Sequence, residues 1–268
     1  MGLKCGIIGL ANVGKTTIFN CMSSTKALTS NVATGTGKSN ISTINVPDNR
    51  LYELEKFQPT ERIVHTTVEI VDIPGLSKTT GKGEGNKFLA DVRNCDALIH
   101  VLRCFDDPSL PHIDGSIDPV RDIETVNFEL QVRDLESVEK KLQKVEKAAK
   151  VGDKEAKKAF EVLSVYKNHL ESFKNASTVP VDEHDKKYVD DLFLLTTKPV
   201  IYVCNVDEKS AVNGNQYSNR VKEFLKDEKT EILIIAGKVE AEISELESED
   251  DRKAFLADVG LTEPGVNK

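Results

Sequence analysis

Gly9-Leu10-Ala11-Asn12-Val13-Gly14-Lys15-Thr16 follows an apolar run at 5–10 and opens a helical pattern at 16–22. The stretch spells G-x-x-x-x-G-K-[ST], and its setting between a strand and a helix decides the fold. Such a strand delivers the chain to a glycine-rich turn whose backbone N–H groups face a polyphosphate. The helix N-terminus adds its positive end. Lys15 then reaches the outer phosphates and Thr16 offers a hydroxyl to Mg2+. The expectation is a site for a nucleoside triphosphate.

Working outward, short β-branched runs at 4–9, 41–46, 67–72, 97–103, 199–205 and 231–236 alternate with helical stretches. They are too short for buried helices and predict an α/β fold with a mostly parallel, doubly wound sheet. Ligands on such sheets lie beyond the carboxyl ends of the strands. The phosphate loop, Asp72 and Asn205 all fall there. Between the fourth and fifth runs the composition turns to Glu, Lys, Leu and Ala. Leu135, Val138, Leu142, Val145 and Ala149 alternate by three and four, as in a coiled-coil seam. Gly152-Asp153 supplies a stop and a fresh N-cap, and a returning helix would place Ala156, Phe160, Leu163, Leu170 and Phe173 on one face. The reading is a nucleotide-binding domain over 1–121 and 196–268, with an antiparallel helical hairpin inserted over 122–195. Residues 185–195 are expected to form a helix leading back to the sheet.

The totals exclude some classes. A net charge of -8 in 268 residues gives no global field attractive to DNA or anionic lipid, so such binding would need a local basic patch. No run approaches the length of a membrane span. Five cysteines without a C-x-x-C pair predict reduced, structural thiols and a cytoplasmic protein with no membrane role.

Two further signatures stand at strand ends. Asp72-Ile73-Pro74-Gly75 places a carboxylate level with the phosphate loop, able to hold Mg2+ through water, and a Gly75 N–H able to sense a γ-phosphate. Asn205-Val206-Asp207-Glu208 occupies the place where guanine-binding P-loop proteins have Asn-Lys-x-Asp, whose aspartate accepts two N–H donors from guanine. Glu208 is one methylene longer, which weakens guanine selection, and Val206 is free to lie against either purine. Ala236 and Gly237, before Lys238, offer backbone to support the base.

Together these motifs, the Lys82-Gly83-Glu84-Gly85 segment, Val101-Leu102-Arg103-Cys104-Phe105 with Asp106-Asp107, the hairpin with its Gly-Asp-Lys turn and the Asn-x-x-Glu base motif resemble the YchF or Obg-like ATPase family of translation-factor-class P-loop proteins. The resemblance covers essentially the whole chain. It implies a P-loop NTPase G domain, a helical insertion and a C-terminal TGS domain, the last expected to be lacking in a sequence that ends at Lys268. Carried over, Asn12, Val13, Gly14, Lys15, Thr16 and Thr17 would bind phosphate, Thr16 and Thr36 would ligate Mg2+, and Val206 with Asn205 and Glu208 would contact the base. ATP would be preferred with GTP weaker, and a ribosome or translation component would be the partner. The family also has a histidine in the loop that here carries His112, in a role assisting hydrolysis. Asn12 matches an asparagine that helps hold K+ in potassium-activated relatives.

Many related hydrolases place a glutamine directly after Asp-x-x-Gly to orient water. Here Leu76 cannot, so turnover is expected to be slow. A nucleotide-binding module with negligible hydrolysis stands as the alternative, and a small-molecule kinase is a third reading, weakened by scattered arginines (Arg93, Arg103, Arg121, Arg133).

Overall fold

The computed structural model describes residues 2–24, 40–74, 82–112 and 114–268. Six strands, β1 (Leu3–Ile8), β2 (Asn40–Asn45), β3 (Thr67–Asp72), β4 (Ala97–Cys104), β5 (Val200–Val206) and β6 (Glu231–Ile235), form one sheet in the order β2-β3-β1-β4-β5-β6. All neighbours are parallel except the edge pair β2 and β3. The central strands are apolar on both faces, as helix-covered parallel strands must be, and Ile7, Ile8, Leu98, Val101, Leu102 and Val203 are buried in the core. Register sets the site: Ile7 stands beside Asp72, and Asn205 stands between Arg103 and Ile235. The carboxyl ends of β1 and β3 lie together, and those of β4, β5 and β6 run further, with Ile8 opposite His100 and Cys104 opposite Val206.

Helices follow as the pattern predicts: α1 (Lys15–Ser24), α2 (Asn49–Phe57) and α3 (Lys82–Arg93), then α4 (Pro119–Lys150), α5 (Lys154–Glu171), α6 (Gln216–Phe224), α7 (Gly237–Glu245) and α8 (Glu249–Val259). The chain divides into two compact units, residues 1–120 with 200–268, and residues 121–199. All five cysteines are buried and none is in a disulfide. No helix among the described residues is long and apolar enough to cross a membrane.

In the second unit α4 and α5 are joined by a tight turn in which Gly152 takes a φ of +97°, a left-handed value that favours glycine. Asp153 caps α5, its carboxylate accepting from the Ala156 N–H at 2.8 Å. The helices run antiparallel, with Lys167 of α5 2.9 Å from Glu139 of α4. Val138 is buried against Val162, Leu163, Tyr166 and Leu170, with Leu135, Leu142 and Val145 packed alongside.

Two sequence expectations need correction here. Phe173 lies beyond the end of α5 at a positive φ and is exposed, so the buried face of that helix is Ala159, Val162, Leu163, Tyr166 and Leu170. Residues 185–195 form no α-helix; the chain makes short 3-10 turns at Glu183–Tyr188, Asp190–Leu192 and Leu195–Thr197. At the end of this stretch the backbone meets a competing acceptor. Fully buried Asp134 takes the N–H groups of Leu195 (2.6 Å) and Thr196 (2.8 Å) and the Thr196 hydroxyl (2.7 Å), and Phe193 turns left-handed just before. Backbone donors given to a carboxylate are lost to a helix.

Candidate nucleotide site

The loop between β1 and α1 is shaped by glycines that tolerate no side chain. At Gly9, with φ at +143°, a Cβ would lie 2.4 Å from the Val101 carbonyl oxygen. At Gly14, with φ at +96°, it would lie 2.3 Å from the Asn205 amide nitrogen. Lys15, at the start of α1, is buried, and its ammonium donates to the Leu10 carbonyl at 2.6 Å. Burial lowers its pKa to about 8, against the opposing pull of Asp72. A cation held back on its own loop, with weakened hold on its proton, is poised to exchange one backbone oxygen for a polyphosphate.

Beside it, the Thr16 hydroxyl donates to the Asp72 carboxylate at 2.9 Å. Burial raises the Asp72 pKa, while Thr16 and Lys15 pull it back down. These two hard oxygen groups are within a single coordination sphere of each other and fit a Mg2+ bound through few protein ligands. Thr36, Gly75 and Leu76 lie outside the described residues.

Asn205, at the end of β5, is the joint of the site. Its side-chain amide donates to the Val13 carbonyl at 2.8 Å, and its amide oxygen accepts from the Gly237 N–H at 2.9 Å. It thus acts on the site through two backbones. Val13 is buried and contributes its main chain, Ala236 is buried before α7, and Gly237 faces the opening.

That opening is a cleft of about 830 Å³, bordered by Asn12, Gly14 and Thr17 on the phosphate side and by Phe105, Val206 and Glu208 on the other. Its size suits a nucleotide. Asp207 is committed to its own turn, its carboxylate accepting from the Ser210 N–H at 3.1 Å and hydroxyl at 3.0 Å. Exposed Glu208 makes no side-chain hydrogen bond among the described residues and is the acid available to a base.

Asn12 has a left-handed φ of 63°, and its side chain donates to the Pro111 carbonyl at 3.4 Å. This contact brings the loop that carries His112 against the phosphate loop. His112 is half-buried, its Nδ1 accepting from the Asp114 N–H at 3.1 Å, and it is not among the residues bordering the cleft.

Sequence reasoning missed Arg103. It is 2% exposed at the end of β4 and spends its guanidinium on the carbonyls of Phe105 (3.2 Å), Asp107 (3.1 Å) and Leu110 (2.8 Å), with its carbon 4.9 Å from the Phe105 ring centre. One cation therefore folds the loop that forms a wall of the cleft. The available signal was a charge closing an apolar strand, since a buried charge demands partners.

Comparison with known proteins agrees with this geometry. Residues 4–206 match the model of the family described as 50S ribosome-binding GTPase. The "Ribosome-binding ATPase YchF" of Bacillus subtilis is 41% identical over all of this chain and 74% of its own length. The protein of that name from Haemophilus influenzae is 42% identical with the same coverage. The solved "Schizosaccharomyces pombe YchF GTPase" superposes with a TM-score of 0.81 at 27% identity, covering 98% of this chain and 72% of that one. On the family model and on full-length identity of about two residues in five, the chain belongs to the YchF family of P-loop nucleoside triphosphate hydrolases.

Proposed function

We propose that the chain is a Mg2+-dependent switch that hydrolyses ATP in preference to GTP and works on the ribosome in the cytoplasm. The observation that carries the ATP preference is the state of the two acids after β5: Asp207 is consumed by its own turn, which leaves the longer Glu208 to meet the base. A guanine reader needs one carboxylate placed to take two parallel N–H donors, and an added methylene shifts that fork. Beside it, Val206 is apolar and 3% exposed, so it adds no polar group that would distinguish adenine from guanine. Mg2+ would be held by Thr16 and Asp72 and would supply charge neutralisation at the β- and γ-oxygens. Lys15 would add its charge on the outer phosphates.

Slow turnover follows from Leu76, and His112 is the candidate for assisting the attacking water because Asn12 holds its loop to the phosphate loop. Asn12 is also the residue through which K+ would act, and faster hydrolysis in K+ than in Na+ is the corresponding signature. Ribosome association rests on the names of the relatives. Titration of labelled ATP and GTP side by side in Mg2+ tests the preference. ATP should bind more tightly, and GTP tighter by about tenfold would reverse the reading of Glu208. The alternative, a binding module with negligible turnover, is favoured if single-turnover phosphate release is no faster than that of Lys15→Ala.

A further inference from the structure

The corner between β6 and α7 borders the base end of the cleft, and it is held from two sides. On one side stands Asn205, in register with Ile235 and accepting from the Gly237 N–H at 2.9 Å. On the other lies a segment from far along the chain, where Gly265–Asn267 closes a 3-10 turn whose first residue is buried. A Cβ at Gly265 would lie 3.0 Å from the Glu240 carboxylate and 3.2 Å from the Ile235 side chain. Glycine thus lets a backbone enter between these two residues, and any side chain there would have to push one of them aside.

Glu240 holds that backbone in place. It stands three residues after Gly237 on α7 and is 2% exposed. Its carboxylate accepts from the Gly265 N–H at 2.6 Å and from the Val266 N–H at 3.5 Å. Burial raises its pKa, and these two N–H groups, with Lys268, pull it back down. A buried carboxylate demands partners, and this one meets them 25 residues further along the chain. Gly237, Lys238 and Ala241 of the same helix border the cleft, and Glu240 does not.

We propose that Glu240 is a positioning residue for the purine: by gripping Gly265 it wedges the 264–267 segment behind the β6–α7 corner and fixes Gly237, Lys238 and Ala241 against the base. The proposal rests on the reading of the cleft as the nucleotide site and deepens it. With the wedge in place the corner is clamped between Asn205 and Gly265 before a ligand arrives. Without it Asn205 holds the corner alone, and the base must order what the wedge had ordered.

Calorimetry on the full chain in Mg2+ tests this by comparing ATP with inorganic tripolyphosphate, which engages the phosphate loop and has no base to place. The parent should bind ATP about tenfold or more tightly than tripolyphosphate, the worth of one good base contact. Glu240→Ala releases the segment, and Gly265→Ala dislodges it while the acid stays in place. Each should weaken ATP by about fivefold or more and tripolyphosphate by less than about twofold. Glu240→Gln keeps an oxygen for the Gly265 N–H and should stay within about twofold of the parent for both ligands. Equal losses for the two ligands would mark Glu240 as a residue of general stability and overturn the proposal. So would ATP affinity within about twofold of the parent in both alanine variants, or a loss in Glu240→Gln as large as in Glu240→Ala; each of these leaves the cleft reading standing. A parent that binds tripolyphosphate as tightly as ATP would instead remove the cleft as the base site, and the role of Glu240 with it.

Discussion

Removing Asn205 should cost both stability and nucleotide affinity, because its amide serves two loops at once. In Asn205→Ala the Val13 carbonyl loses a donor at 2.8 Å and the Gly237 N–H loses an acceptor at 2.9 Å, in a place where Asn205 is only 5% exposed. A buried polar backbone group left unpaired costs about 1–3 kcal/mol, so the two together predict a loss of about 2–6 kcal/mol. Urea unfolding with an unchanged m-value measures it. Loosened loops should also weaken Mg-ATP binding by at least tenfold, about 1.4 kcal/mol, read by calorimetry. Asn205→Asp separates hydrogen bonding from volume: it is isosteric, yet it turns an oxygen toward the Val13 carbonyl and should be as damaging. If both variants unfold within about 0.5 kcal/mol of the parent and bind nucleotide equally well, the joint described above does not hold the site.

Two other perturbations test separate parts of the unit. Arg103→Met keeps an apolar stem but leaves the carbonyls of Phe105, Asp107 and Leu110 without their donor; because water can reach part of this loop, about 1–3 kcal/mol should be lost, with faster proteolysis of the 105–112 segment. Unchanged stability and protease resistance would mean that the loop holds itself. For Lys15, the folded pKa of about 8 lies below the ordinary 10.5, so between those pH values the unfolded chain carries a proton that the folded chain has lost. That group's contribution to stability therefore rises with pH across the window. A bound triphosphate should restore the proton, giving net proton uptake on Mg-ATP binding near pH 8.5, measured by calorimetry in two buffers of different ionisation enthalpy. Binding without uptake would contradict the withdrawn, desolvated state of the ammonium.

The sheet was legible in the sequence because its strands are short β-branched runs and its loop is a spacing with one common use. Asp72 and Asn205 were legible for the same reason, each standing at the end of such a run. Arg103 and Asp134 were not, since the meaning of a buried charge depends on which distant backbone groups it meets, and sequence neighbours do not disclose them. Residues 185–195 read as helical from local preference, but the chain closes 3-10 turns there instead, and its last residue, Leu195, gives its N–H to Asp134. Val13 and Ala236 sit where nucleotide contacts were expected, but burial limits their direct part to the main chain. Between Asp207 and Glu208, only the Ser210 turn decides which acid remains free.

The tether of Val13 to Gly237 through a single side chain has a consequence for selectivity. The phosphate loop and the start of α7 are joined through that one side chain, so a shift at either is passed to the other. A mismatched base then strains the grip on the phosphates as well, and discrimination at one end is felt as misalignment at the other.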